Sequence, residues 1–121
     1  MDKKIRVMIA DDQVILAEGI RSVLETDPQL EVIGIAFDGF DALQKMEKDC
    51  PDVVLMDIRM PNMNGVVATQ SIKAKFPEVK VVILTTFDDS DYILNAINNG
   101  ASGYLLKDIG RTGPLAAPEK T

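Results

Sequence analysis

Val53-Val54-Leu55-Met56-Asp57 is a run of four apolar residues closed by one acid, bounded by Pro51 upstream and by Pro61 and Gly65 downstream. So short a run, with no polar residue alternating inside it, reads as a strand buried on both faces rather than as an amphipathic helix. Burial on both faces is the mark of a parallel sheet held between two helical layers. Asp57, as the last residue of the run, is then expected at the carboxyl edge of the sheet, where open α/β sheets place their ligands.

The rest of the chain repeats this strand-then-helix grammar. Ile5 to Ala10 reads as a first strand that stops at Asp11-Asp12, and Val14, Ala17, Ile20, Val23 and Leu24 recur at helical spacing until Asp27-Pro28. Residues 30–37 form a second strand-like run, punctuated by Asp38-Gly39 before a helix carrying Phe40, Leu43 and Met46 that Cys50-Pro51 closes. The run 52–57 comes third. Residues 59–65 concentrate the turn formers Pro61, Asn62, Asn64 and Gly65, so they predict a shaped loop, and 66–76 a helix stopped by Pro77. Residues 79–85 predict a fourth strand, Asp88-Asp89-Ser90 offer N-cap candidates for a helix through Asn99 stopped by Gly100, and 102–107 predict a fifth short strand. Five strands alternating with four helices imply βαβ units with right-handed crossovers and one doubly wound parallel sheet. The tail 109–121, with two glycines and two prolines, predicts no fifth helix.

A length of 121 residues suits one domain. The longest apolar runs are strand-sized, far below the roughly 18 residues of a membrane span. Met1-Asp2-Lys3-Lys4 leads straight into a strand with no apolar export core, so a reducing, cytoplasmic setting is expected. Cys50, the single cysteine, is expected to be a buried, inert thiol, and Met8, Met46, Met56, Met60 and Met63 to fill core and loop gaps. A net charge of −6 and a pI near 4.5 argue against this segment gripping nucleic acid by itself. The chain has no histidine, which removes Ser-His and Cys-His catalysis and His-ligated zinc. Chemistry here must run on carboxylates, hydroxyls and lysine.

Because strands of a parallel sheet point one way, Asp11, Asp12 and Asp57 should finish on one edge, with Thr85 and Lys107 at the ends of strands four and five. Three carboxylates at close range repel one another unless a cation joins them. Hard oxygen ligands of this number suit Mg²⁺, which keeps several waters and shares phosphate oxygens with the protein. A hydroxyl and a lysine opposite would complete a clamp for a phosphoryl group. Each residue alone has a plainer reading: Asp11-Asp12 as a helix N-cap, Asp57 as a turn acid, Thr85 as a β-former, Lys107 as a solvated strand end, Tyr104 as a core aromatic. Only their joint placement favours a site.

This set of residues resembles the receiver domain of two-component response regulators over residues 5 to 108. The acidic pair matches Asp11 and Asp12, the phospho-accepting aspartate matches Asp57 in Leu55-Met56-Asp57-Ile58-Arg59-Met60-Pro61, the switch hydroxyl matches Thr85, and the lysine matches Lys107. Gly100-Ala101-Ser102-Gly103-Tyr104-Leu105-Leu106-Lys107 is also similar, with Tyr104 at the switch-aromatic position. Asp57-Ile58-Arg59-Met60-Pro61 and Leu84-Thr85-Thr86 most resemble the NarL-like (LuxR-type) transcriptional regulators.

The resemblance implies a flavodoxin-like sheet of order 2-1-3-4-5. It implies phosphoryl transfer from a sensor histidine kinase to Asp57, with Mg²⁺ or Mn²⁺ held by Asp12, Asp57 and the Arg59 backbone carbonyl, and Asp11 acting through a metal-bound water. Thr85 and Tyr104 then move as a switch, and Arg59 and Phe87 flank the site at positions that tune dephosphorylation. The expected activity is self-phosphorylation from a donor with weak autophosphatase, not that of a dedicated enzyme.

Two features depart from the family pattern. Lys107 is followed by Asp108 where many receivers have proline, and residues 109–121 carry helix breakers where a fifth helix normally runs. The expected division is therefore a receiver domain over 1–108 and an atypical tail over 109–121. Loss of that helix predicts an apolar face covered by the tail or by a second copy in a homodimer. The subfamily's DNA-binding output domain is not in this sequence, so DNA contact is expected only through a longer protein, and no membrane contact is expected. Two rival readings are an aspartate-nucleophile phosphatase of the haloacid-dehalogenase type and a phosphorylation-independent interaction module. The first expects an acid two residues after the nucleophile, where this chain has Arg59.

Overall fold

The computed structural model describes residues 4–57, 65–85, 98 and 100–106. In chain order these form β1 (Ile5–Ala10), α1 (Val14–Leu24), β2 (Leu30–Ala36), α2 (Gly39–Lys48), β3 (Val53–Asp57), α3 (Gly65–Lys75), β4 (Lys80–Thr85) and β5 (Gly103–Leu106). The five strands make one sheet of order β2-β1-β3-β4-β5, and every pairing is parallel. This is the flavodoxin-like doubly wound arrangement.

Alternation along each strand divides the core into two layers. Met8 and Ala10 of β1, Val54 and Met56 of β3, and Val81 and Ile83 of β4 pack with Ala42 and Met46 of α2 and Ala68 and Ile72 of α3. On the other face Val7, Ile9, Leu55 and Leu84 pack with Ala17 and Ile20 of α1. The unbroken apolar character of β3 follows directly, because successive residues enter opposite layers and neither layer is water. Met8, Met46 and Met56 are core residues as expected. Among the described residues, no helix is long and apolar enough to cross a membrane.

Helix ends follow local chemistry. Asp38 caps α2 by accepting the Asp41 N–H at 2.8 Å, and Asp41 in turn accepts the Phe37 N–H at 3.1 Å. That second bond takes the Phe37 N–H, and β2 stops at Ala36, one residue short of the expected end. Asn98 is helical and Gly100 has φ of 110°, which suits the stop expected at Gly100 for the helix that follows Asp88-Asp89-Ser90. The other residues of that stretch, the loop 59–64 and the tail 109–121 lie outside the described residues.

One expectation is corrected. Cys50 is exposed, not buried. It sits in the turn between α2 and β3, where the Arg6 side chain holds the backbone by donating to the Cys50 carbonyl at 2.8 Å and to the Asp49 carboxylate. The peptide is anchored, while the thiol is left at the surface. On the α1 face, Leu55 and Leu84 are only 5% and 3% exposed.

Candidate phospho-acceptor site

The register brings the carboxyl ends of the strands level. Ala10 of β1 pairs with Ala36 of β2 and Met56 of β3, Asp57 pairs with Leu84, and Thr85 pairs with Leu106. The residue following Ala10 therefore arrives beside Asp57. Asp11 continues the ladder by donating its N–H to the Ala36 carbonyl at 2.9 Å, and its side chain turns inward with no exposure. Asp57 closes β3 at 3% exposure, and Asp12 lies at the solvent rim. One carboxylate oxygen from each of Asp11, Asp12 and Asp57 lies within 4.8 Å of the other two.

Two carboxylates buried side by side with a third at the mouth concentrate negative charge where water is excluded, an arrangement that a cation offsets. The donor set is all hard oxygen, which fits Mg²⁺. Oxygens bound to one Mg²⁺ stand at most about 4.2 Å apart, twice the roughly 2.1 Å bond length. The three carboxylate oxygens, all within 4.8 Å of one another, are close to the spacing that a single ion of this kind needs.

The capping alternative for the acid pair does not hold. The N-cap of α1 is Gln13, which makes no side-chain cap bond, and the Asp11 carboxylate instead accepts the N–H of Gln13 itself at 2.8 Å. Thr85 ends β4 at this same sheet edge, one residue beyond the partner of Asp57; its side chain lies outside the described residues. Tyr104 of β5 pairs with Ile83 and is exposed rather than packed in the core, against the plainer reading of this aromatic. Arg59, Phe87 and Lys107 lie outside the described residues. Gln13 had no sequence signal, because its contribution is a backbone N–H that every residue except proline carries.

Residues 7–116 match the family model described as the response regulator receiver domain. The chain belongs to the response regulator receiver family. The resemblance read from Asp11, Asp12, Asp57, Thr85 and Lys107 is borne out at the level of the family, and so is its subfamily. The chain is 50% identical over 105 residues to the transcriptional regulatory protein LnrK of Bacillus subtilis, covering 87% of this chain and 48% of that protein. It is 43% identical over 108 residues to the transcriptional regulatory protein DegU of Brevibacillus brevis, covering 89% of this chain and 46% of the relative. The chain thus spans about half the length of the curated relatives it matches.

Among solved structures, the receiver domain of the response regulator NarL from Mycobacterium tuberculosis superposes with a TM-score of 0.83 at 34% identity, over 91% of this chain and 89% of that one. A LuxR-family response regulator from Aurantimonas gives the same TM-score at 31% identity, over 98% and 84%. This receiver is of the NarL and DegU type.

Proposed function

We propose that this receiver accepts a phosphoryl group on Asp57 from the phosphohistidine of a sensor kinase and passes the change to an output domain elsewhere in a longer protein. The observation that carries the reading is the meeting of Asp11, Asp12 and Asp57 oxygens within 4.8 Å, two of the three residues buried, at one sheet edge. A Asp57 carboxylate oxygen attacks phosphorus, the phosphorus–nitrogen bond breaks, and the imidazole leaves with its electron pair and takes up a proton. Asp57 is held for in-line approach by its place at the end of a strand locked on both sides.

Asp12, Asp57 and the Arg59 carbonyl would hold a Mg²⁺ or Mn²⁺, with Asp11 acting through a metal-bound water, and such an ion would supply charge neutralisation for the phosphoryl oxygens. Lys107 and Thr85, following and ending adjacent strands, contact the same oxygens, and Thr85 and Tyr104 relay the new charge to the surface. Slow attack of water on the acyl phosphate resets the switch. Beside the acids, Val14 and Ile15 at the start of α1 are 57% and 89% exposed, an apolar lip suited to a docking kinase. DNA contact belongs to the output domain, in line with relatives named transcriptional regulatory proteins. The receiver's net charge of −6 argues against its gripping nucleic acid by itself.

Incubation with Mg²⁺ and a small acyl-type phosphodonor is expected to add one phosphoryl group at Asp57, read by intact and peptide mass. Asp57→Asn abolishes the gain. Retention of the gain in that variant overturns the assignment, rapid turnover of phosphate esters supports a phosphatase instead, and no reaction at all leaves an interaction module.

A further inference from the structure

Asp11 is held at both its backbone and its side chain. Its N–H donates to Ala36, and one carboxylate oxygen accepts the Gln13 N–H at 2.8 Å. Gln13 itself is in extended conformation (φ −91°, ψ 95°) at the N-cap of α1, and its carbonyl accepts the Ala17 N–H at 2.9 Å. The two backbone polar groups of Gln13 therefore face different tasks: the N–H serves the acid, and the carbonyl starts the helix.

A carboxylate's terminal torsion is broad and roughly two-fold, so burial of Asp11 does not by itself fix which way its oxygens face. A charge-assisted bond from a backbone N–H that is anchored by the first turn of a helix does fix it. We propose that Gln13 is a positioning residue for the divalent-cation site: its backbone N–H pins one Asp11 oxygen and thereby orients the carboxylate toward the ligand set shared with Asp12 and Asp57. This rests on the cation-dependent reading above. Partners that orient a metal-site carboxylate in this way typically change metal affinity by about 10–100-fold.

The test is an ester in place of the Asp12–Gln13 peptide bond, made by semisynthesis of the full chain with the α-hydroxy analogue of glutamine. It deletes the N–H and retains the side chain and the carbonyl. Mn²⁺ affinity, read by electron paramagnetic resonance of the free ion, is expected to fall about tenfold while the circular dichroism spectrum stays native. In an Asp11→Asn background the same ester is expected to have no further effect, as a double-mutant cycle requires of a group acting through Asp11.

Parent affinity in the ester, or an equal loss in both backgrounds, overturns the role of Gln13. If the ester does not fold, Gln13→Pro removes the same N–H at a φ near proline's range and is read in the same cycle. Failure of the parent chain to bind Mn²⁺ or Mg²⁺ at all sinks the cation-dependent phospho-acceptor reading and this inference with it. Equal binding by parent and ester sinks this inference alone.

Discussion

Asp57, Asp11 and Cys50 show how much a single residue's behaviour depends on what its backbone is tied to. Asp57 and Asp11 are buried where they end or continue ladder-bonded strands, and their carboxylates meet in one cluster with Asp12. Cys50 is anchored by its carbonyl, to Arg6, and its thiol, donating to the Pro51 carbonyl at 3.7 Å, belongs to an exposed residue. Partial burial nonetheless raises the pKa of the thiol, the Arg6 guanidinium opposing it. A raised pKa means less thiolate near neutral pH, and thiolate is the reactive form. Cys50 should therefore be alkylated by iodoacetamide in the native protein, without denaturant, but at pH 8 more slowly than in the urea-unfolded chain. Protection until unfolding would show the thiol buried after all.

Two glycines separate what an element tolerates from what its junction demands. Gly19 lies inside α1 at an exposed position, and a Cβ there would meet nothing within 4 Å. Gly19→Ala is expected to stabilise the protein by about 0.5–1 kcal/mol, because glycine loses more chain entropy in a helix than alanine. Gly100 has φ of 110°, and a Cβ there would lie 2.7 Å from Cγ of Lys73. That stem cannot swing aside freely, since the Lys73 ammonium donates to the carbonyls of Pro77 and Val79 at 3.0 and 2.8 Å. Gly100→Ala is expected to cost about 2 kcal/mol, within the usual range for a strained backbone position. Urea melts of both variants check the pair; equal shifts of the same sign would refute the account.

Burial on the α1 face bears on whether a second chain is needed. Breakers at 109–121 led to the expectation of an apolar face covered by the tail or by a partner copy. Leu55 and Leu84 on the α1 face are buried within one chain, which favours a monomer. Light scattering of the unphosphorylated protein at micromolar concentration should give the mass of one 121-residue chain. A stable dimer under those conditions would mean that another surface drives association, with the exposed Tyr104 strand at the sheet edge a place to look.

Much of this protein is legible in order of residues alone. Strand and helix positions follow from local periodicity and from Pro and Gly punctuation, which act over a few residues and need no fold to be read. The alternation then restricts the sheet to parallel crossovers, and parallel strands carry their final residues to one edge, so Asp11, Asp12 and Asp57 could be assembled on paper. What local signals lack is direction in space. That Asp12 faces solvent while Asp11 is enclosed, that Cys50 lies outside, and that a Gln13 N–H holds an acid two residues earlier depend on register, on which side of a turn a peptide faces, and on neighbours from β2. Those are long-range packing decisions, fixed only when the layers close on the sheet.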